Sequence, residues 1–455
     1  MRISTLRTSL VESGLAVSLF LLASASALAQ NAVTLTANPQ TASMSDGQSV
    51  PMWGYTCGAV SGTGVSCTGV NGTGQVPAAW LPPLITVPSG QPLTIKLVNN
   101  LHIPIVPVGT PVTYHDVPTS LVIVGQVGGG LGDVTQRTTM PSPTHAPQGT
   151  TWPGTPGTTN DGDTVFTPPH QPDRVRSFAT EVNVSDGSAG KDLVWNDLRP
   201  GTYLIESGTE PSIQGPMGLY GVLVVTGADY PGQAVDADIA LLLSEIDPLQ
   251  NMAVQIAVQT EGFDDKLVWS GQTGKCGDPA IHTCYPPAVN YSPLYYLING
   301  ASFNRADLAS STRSILAPVA PATTVTATSG NVLLRLVNAG LRMHVPSVVG
   351  SSMTLLAEDG NKLPGVPRVQ SEVFLAAGKT YDVTIQPQKA DGNYTAATYP
   401  VFDRQLSLSS ANQRDGGMQA YISIAGGAAA GAIGSAASAV AAVANPDKYF
   451  VVPGN

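Results

Sequence analysis

The stretch Pro200-Gly201-Thr202-Tyr203 starts a strand, and Gly378-Lys379-Thr380-Tyr381 repeats its pattern further along the chain. A Gly followed closely by a Tyr at the start of a strand is the setting of a tyrosine corner, a feature of Greek-key sandwiches. A second pair of similar segments, Lys96-Leu97-Val98-Asn99 and Arg335-Leu336-Val337-Asn338, follows Gly-containing turns. The two repeated patterns predict two tandem Greek-key β-sandwiches.

The composition of the chain favours strands over helices. Charged residues make up 11% of the 455 residues, whereas 48 Gly and 37 Pro supply turn positions. The run Leu93-Thr94-Ile95-Lys96-Leu97 alternates apolar and polar side chains, as expected of a strand with one buried face. We therefore predict an all-β protein.

Shifts in composition divide the chain into four segments. Residues 1–29 are predicted to be a signal peptide, residues 30–227 the first sandwich and residues 228–425 the second. Each sandwich is long enough to bury a core of its own. Residues 426–455 are predicted to be a flexible Ala/Gly-rich linker that leads into a further strand or module.

A long Gly/Pro-rich loop is predicted within the first sandwich, over residues 127–172. Loops of this length are usually functional or disordered. Its run Gly128-Gly129-Gly130-Leu131-Gly132 is not followed by the Lys-Ser/Thr of a phosphate-binding loop. We expect this run to be flexible and to bind no phosphate.

The N-terminal residues carry the pattern of an export signal. Arg2 and Arg7 precede an apolar run that ends in Ala27-Leu28-Ala29, a small-residue cleavage site. The sequence therefore predicts an exported protein, periplasmic, cell-surface or extracellular, with no transmembrane anchor after cleavage. A formal net charge of −10 disfavours nucleic acid as a partner.

The four cysteines form two close pairs, Cys57 with Cys67 and Cys276 with Cys284. In an exported chain each pair predicts a local disulfide. The alternative is a metal site formed by Cys276, His282 and Cys284. A blue-copper site combines one thiolate with two imidazoles, which this cluster does not provide.

Residues 47–425 resemble the first two cupredoxin domains of multicopper oxidases in the order and spacing of their strand motifs. In the first domain the similar segments are Gln48–Tyr55, Ile85–Leu101, Thr119–Gln126, Phe178–Val184 and Gly201–Val225. In the second domain they are Tyr296–Gly300, Leu334–Ala339, Leu355–Gly360 and Ala377–Val383. The resemblance implies two cupredoxin-like sandwiches and, in the family, a copper-dependent oxidase activity.

The copper ligands that the resemblance implies are missing from their positions. In the family, two His-x-His pairs of the first domain contribute to a trinuclear copper cluster, and the last domain supplies the rest with a His-Cys-His blue-copper motif. This chain has Val122, Val124, Glu206 and Gly208 at the first-domain positions, and it contains no His-Cys-His. Val and Gly have no side-chain donor, and a lone carboxylate is a poor copper ligand.

Three histidines remain as candidates for a rebuilt metal site. His102 and His115 flank an apolar turn near the altered strands, and either form a two-His site or are hydrogen-bonded loop residues. His344, after Met343, either joins a Met-His copper site or is a core histidine with hydrogen-bond partners. Glu206 and Glu210 either form an acid/base pair or are solvated or paired with Arg174 or Arg176. Because no nucleophile with a histidine base is visible, no catalytic residue is predicted.

The sequence is consistent with two functions. The first is an exported binding or structural module that binds no cofactor and contacts a protein partner or a further domain of the same polypeptide. The second is a component of a copper-dependent oxidase of metals or small molecules. Its copper-bearing domain would then lie in a C-terminal part beyond this sequence or in a partner chain.

Overall fold

The computed structural model describes residues 31–106, 111–142, 148–149, 165–166, 172–269, 273–276, 278, 280–304, 315–319, 329–411 and 416–425. The predicted signal peptide and the predicted linker lie outside these residues. The described part of the chain consists mostly of strands, as the sequence predicts. None of its helices is long and apolar enough to cross a membrane.

Fifteen strands precede residue 227 in the described part of the chain. They are β1 Asn31–Ser43, β2 Ser49–Ser61, β3 Ser66–Gly69, β4 Pro83–Pro88, β5 Leu93–Asn99, β6 His102–Pro104, β7 Tyr114–Asp116, β8 Val122–Ile123, β9 Thr138–Met140, β10 Gln148–Gly149, β11 Val165–Phe166, β12 Arg174–Ser177, β13 Lys191–Trp195, β14 Gly201–Glu206 and β15 Tyr220–Thr226. Helix α1 spans Pro211–Gln214, and 3-10 turns span Val134–Gln136 and Val184–Ala189.

Fifteen more strands follow in the described part. They are β16 Ala237–Ile246, β17 Tyr295–Ile298, β18 Phe303–Asn304, β19 Ile315–Val319, β20 Val332–Asn338, β21 Pro346–Val348, β22 Met353–Glu358, β23 Asn361–Lys362, β24 Val369–Gln370, β25 Thr380–Ile385, β26 Lys389–Ala390, β27 Asn393–Tyr394, β28 Ala397–Asp403, β29 Gly416–Gly417 and β30 Gln419–Ile424. Helix α2 spans Pro248–Val258, and a 3-10 turn spans Ala288–Asn290.

Two sheets form the first sandwich, in the strand orders β13-β5-β1-β2 and β3-β4-β15-β14-β8. The alternation predicted for β5 is present, because Leu93, Ile95 and Leu97 are fully buried. They pack with Trp53 and Trp195 in one apolar core between the sheets. This is the arrangement in which period-2 alternation stabilises a sandwich.

The second sandwich repeats this plan. Its larger sheet has the order β17-β16-β20-β25-β22-β23, with β24 also paired to β22, and its smaller sheet has the order β19-β30-β28-β21. β1 pairs in parallel with β5, and β16 pairs in parallel with β20. A separate apolar core fills the space between the two sheets. The all-β fold of two sandwiches is thus confirmed.

The similar segments found in the sequence have similar roles in the two sandwiches. Asn99, at the end of β5, is buried and donates to the carbonyls of Val117 and Val182. Asn338, at the end of β20, is also buried and donates to the carbonyls of Arg342 and Leu375. Each Asn thereby satisfies the backbone of loops that leave the sheet, which is why the strand ends in Asn rather than an apolar residue.

The tyrosine corner is present in the first sandwich. The Tyr203 hydroxyl donates to the carbonyl of Pro200, three residues upstream, at 3.1 Å. The corresponding Tyr381 lies beside Glu358. Burial raises the pKa of the Tyr381 phenol, and the Glu358 carboxylate adds to this rise. The motif therefore correctly predicts a strand in both sandwiches. The corner hydrogen bond is described for Tyr203 in the first sandwich.

Residues after position 227 also pack against the first sandwich. Asp247 caps α2 by accepting from the backbone N–H groups of Leu249 and Gln250, and Pro248 occupies the first helical position. Val254 and Val258 of this helix lie in the first core. The boundary near residue 227 stays a prediction, and helix α2 connects the second sequence segment to the first sandwich.

Both predicted disulfides are present. Cys57 is bonded to Cys67 with a Cα–Cα distance of 5.7 Å, and Cys276 to Cys284 with 5.5 Å. These distances are typical of disulfides. Because the second bond consumes both thiols, Cys276 and Cys284 cannot ligate a metal together with His282.

Peptide mapping of the protein under non-reducing conditions should recover the two local pairs. Replacing Cys57 and Cys67 together by Ser should cost about 2–3 kcal/mol of unfolding free energy, because the reduced unfolded chain gains conformational freedom. Denaturant titration measures this loss. Free thiols, or a peptide joining Cys57 to Cys276, would contradict the assignment.

Candidate metal centre

Two of the altered ligand positions, Val122 and Glu206, lie on the adjacent strands β8 and β14, and Val124 and Gly208 follow the ends of these strands. β8 and β14 are antiparallel, with Val122 opposite Glu206, and the N–H of Val124 donates to the carbonyl of Leu204. Ile123, which alternates with the two valines, points into the first core. The strand pairing therefore brings positions 122, 206 and 208 together.

The neighbouring side chains leave no room for an imidazole at position 208. A β-carbon added to Gly208 would lie 2.8 Å from Cγ1 of Val122 and 3.1 Å from Oγ of Ser120. A histidine at position 208 could enter only if Val122 moved. Glu206 supplies the one donor group among the four positions, and burial raises the pKa of its carboxyl.

A buried network of hydroxyl and amide groups lies beside this face. Gln214 Oε1 accepts from the hydroxyls of Thr119 and Ser207, at 2.8 and 2.7 Å. Thr209 Oγ1 lies 3.0 Å from Ser120 Oγ and 2.9 Å from Ser177 Oγ. These neutral groups satisfy one another, so the network stabilises the packed strands. The strand patterns in the sequence do not predict this network. The many Ser and Thr residues in these segments are the one feature of the sequence that could have indicated it.

The residues present at this face do not fit a copper cluster. Copper sites in proteins use imidazole or thiolate ligands, and this face offers one carboxylate surrounded by Val, Gly, Ser and Thr. Across the described ranges, no group of three or more His, Cys, Asp or Glu residues is arranged to hold a metal ion.

His102 and His115 lie on one hairpin but have separate partners. In the pairing of β6 with β7, His102 is opposite Asp116 and His115 is opposite Ile103, so the two imidazoles lie on opposite faces. His102 Nδ1 is 2.5 Å from Asp116 Oδ1, and the ring stacks on Tyr114. His115 Nδ1 is 2.7 Å from the carbonyl of Val258 in helix α2. The geometry does not combine them into one metal site.

His344 joins the two sheets of the second sandwich. Its Nε2 is 2.9 Å from Glu245 Oε2 on β16, and its Nδ1 is 3.0 Å from Asp403 Oδ2 on β28. All three side chains are buried. Burial alone would lower the pKa of His344, but the hydrogen bonds to Asp403 and Glu245 outweigh burial and raise it to about 9. The ring is therefore protonated at neutral pH, and neither nitrogen is free for a metal.

The same two carboxylates also hold the backbone around His344. Glu245 Oε1 accepts from the N–H groups of Leu341 and Arg342, at 2.7 and 2.9 Å. Asp403 Oδ1 accepts from the N–H of Val345 at 2.8 Å. The Glu245–His344–Asp403 triad thus links the two sheets of the second sandwich by buried hydrogen bonds.

A partly buried ionic group involves Arg176 on β12. Its guanidinium makes two hydrogen bonds to the Glu181 carboxylate and lies 3.1 Å from Asp265 Oδ2. Glu210 is close by, since its N–H donates to the carbonyl of Arg176. Burial raises the pKa of Glu210 to about 7, although Arg174 and Arg176 act against this rise. The ion pairs of Arg176 are those with Glu181 and Asp265.

Comparison with known proteins gives one family match. Residues 282–423 match the family model described as multicopper oxidase. No curated protein sequence matches the chain. Among solved structures, the blue copper oxidase from Nitrosomonas europaea is 15% identical, with 86% of this chain and 85% of that chain covered and a TM-score of 0.46.

Two further solved structures are similar at the same level. The copper nitrite reductase from Nitrosomonas europaea is 14% identical, with 86% of this chain and 93% of that chain covered and a TM-score of 0.46. The laccase from Botrytis aclada is 16% identical, with 86% and 52% covered and a TM-score of 0.43. The fold defines a protein of two β-sandwiches. The match to the multicopper oxidase family model lies within the second segment of the chain.

Proposed function

We propose that this chain is an exported member of the multicopper oxidase family that binds no trinuclear copper cluster and acts as a binding or structural module. The observation that carries the proposal is the packing of Gly208 against Val122 on the face where the family places histidines. The buried hydroxyl network beside that face supports a role in stability. The two disulfides support the proposed export, because such bonds persist in oxidising compartments.

The family match favours one alternative. In that alternative the chain is a component of a copper-dependent oxidase, and a further domain or a partner chain carries the copper. Both functions include a protein or domain partner. They differ in whether this chain contributes ligands to a copper site.

Copper loading of the purified chain should distinguish the two functions. We expect no stoichiometric, tightly bound copper after dialysis, and no oxygen uptake with a phenolic substrate or with Fe²⁺. The reason is that positions 122, 124 and 208 have no side-chain donor. Metal analysis by mass spectrometry and an oxygen electrode measure both results, with an active laccase as the positive control.

The variant Glu206→Gln is the matched control within this chain. It removes the one carboxylate of the altered face and keeps the shape of the side chain. Trace copper on surface histidines should be the same in both proteins. Several tightly bound copper ions per chain, lost in Glu206→Gln, would contradict the proposal and support the alternative.

A further inference from the structure

A cleft of about 600 Å³ lies between the two sandwiches. One wall is the end of β1 with the loop Asn71–Gly74, and the other is formed by β16, β20 and the turn after β17. This volume is in the range of pockets that hold small molecules, and such pockets often lie between domains. None of the altered ligand positions lines this cleft.

The cleft exists because the contact between the sandwiches stops part way along β16. Asp238, Ala240 and Leu242 alternate onto one face of that strand. Leu242 is fully buried in an apolar cluster shared by the two sandwiches, Ala240 is only partly buried, and the Asp238 side chain is 51% exposed. The same strand face therefore changes from a packed interface to an open polar wall.

Of the described residues that line the cleft, two are charged, Asp238 and Arg335, and they form an ion pair with each other. The Arg335 guanidinium donates through Nε and Nη2 to Asp238 Oδ2, at 3.0 and 2.8 Å, and through Nη1 to Thr202 Oγ1 at 3.0 Å. Its side chain is 7% exposed. Because both bonds to Asp238 use Oδ2, the Oδ1 atom stays outside the ion pair. The Asp238 carboxylate is therefore more accessible to a ligand in the cleft than the Arg335 guanidinium.

The remaining lining combines apolar and neutral polar groups. Trp80, Leu81 and Leu84 supply apolar surface, whereas Ser43 and Asn299 supply uncharged polar groups. An apolar wall favours a ligand with a hydrocarbon or aromatic body. A half-exposed carboxylate favours a cationic head, and the formal net charge of −10 attracts cations to the protein.

We propose that the cleft between the sandwiches binds a small organic amine, with its ammonium group on Asp238 and its apolar body against Trp80 and Leu81. This inference goes beyond the proposed function and does not depend on copper. Failure of amine binding would leave the copper result standing, and bound copper would leave the cleft unchanged.

Benzylamine, with benzyl alcohol as its neutral counterpart, is a suitable probe pair. In saturation-transfer NMR titrations of the full chain treated with a metal chelator, we expect saturable binding of benzylamine. Benzyl alcohol should bind at least about tenfold more weakly, because its hydroxyl can donate to the Asp238 carboxylate but carries no positive charge. Asp238→Asn should weaken benzylamine binding by a similar factor. Asp192→Asn, at an exposed carboxylate on β13 outside the cleft, should leave binding unchanged.

A second variant keeps the test decisive if Asp238→Asn does not fold. Ser43→Trp places a large ring into the cleft from an exposed position and leaves the ion pair intact. It should also abolish benzylamine binding. The proposal is overturned if the wild-type chain shows no saturable benzylamine binding, if the alcohol binds equally well, or if folded Asp238→Asn and Ser43→Trp both bind as the wild type does.

Discussion

Replacing His344 by Ala should lower the free energy of unfolding by roughly 3–5 kcal/mol, because it leaves two buried carboxylates without their shared cation. Glu245 and Asp403 lie on different sheets of the second sandwich, and the His344 imidazolium is hydrogen-bonded to both. The loss also includes the cavity left by the ring. Denaturant titration followed by circular dichroism measures the effect.

The stability contributed by His344 should depend on pH in a defined direction. The folded-state pKa is raised to about 9, whereas the unfolded chain titrates near the ordinary value of 6.5. A group whose pKa is raised by folding binds its proton more tightly in the folded state. Its contribution is therefore complete below about pH 6.5 and decreases as the pH rises towards 9. The shift corresponds to about 3 kcal/mol.

The variant His344→Gln serves as the control for this pH dependence. Gln keeps hydrogen-bonding groups but does not titrate, so the difference in unfolding free energy between the two proteins isolates the imidazole. Glu210, whose pKa is raised to about 7 by burial, titrates in both proteins, whereas burial raises the pKa of the Tyr296 phenol beside His344 above its ordinary value and out of this pH range. A difference that stays constant between pH 6.5 and pH 9 would show that His344 is neutral in the folded state.

Replacing Arg176 by Met should also destabilise the protein by roughly 3–5 kcal/mol near neutral pH. The guanidinium is the shared cation of Glu181 and Asp265, whose side chains are 7% and 20% exposed. Without it, the two carboxylates and Glu210 repel one another in a partly buried region. The loss should become smaller at acidic pH, because protonation then removes the unpaired charges.

Arg174→Met is the matched control for this substitution. Arg174 lies two residues away on the same strand, is exposed, and contacts Met140 Sδ at 3.8 Å. Its charge also acts on Glu210, so this variant measures the loss of a nearby positive charge without the loss of the ion pairs to Glu181 and Asp265. Surface substitutions of this kind usually change stability by less than about 0.5 kcal/mol. Thermal unfolding of the two variants compares them directly, and similar losses in both would mean that the buried ion pairs contribute little.

The sequence determines the fold class and the position of the strands to a large extent. The alternation in β5, the Gly-Thr-Tyr pattern at Tyr203 and the pair Asn99 and Asn338 are local signals, and each has its expected place in the structure. The two disulfides were also predictable, because each joins cysteines separated by 10 or 8 residues. Local spacing is sufficient in these cases, since strand periodicity and short-loop closure depend on neighbours in the chain.

The candidate site was predictable only as a set of positions. The resemblance in sequence assigns Val122, Val124, Glu206 and Gly208 to the ligand positions of the multicopper oxidase pattern. The structure pairs β8 with β14, which carry two of these positions. The hydrogen-bonded hydroxyl and amide groups beside this face could not be predicted from the sequence. The bonds of Gln214 to Thr119 and Ser207 depend on which loops pack beside the sheet.

The glycine run that begins at Gly128 is a second feature whose packing could not be predicted from the sequence. Its composition predicts a flexible loop, but the structure packs it against the Trp195 indole, where a β-carbon on Gly128 would lie 2.3 Å from Cδ1. Gly129 N–H also donates to the carbonyl of Val194 at 2.9 Å. These glycines permit close approach of backbone to an aromatic ring, which composition alone does not distinguish from flexibility.

The sequence by itself therefore determined the two sandwiches, their disulfides and the absence of histidines at the altered positions. Only the tertiary structure decided that His344 lies between Glu245 and Asp403, which are 99 and 59 residues away, and that Arg176 meets Asp265. The physical reason is that charge, burial and hydrogen-bond satisfaction depend on neighbours in space. Residues far apart in sequence become such neighbours only when the sheets have packed.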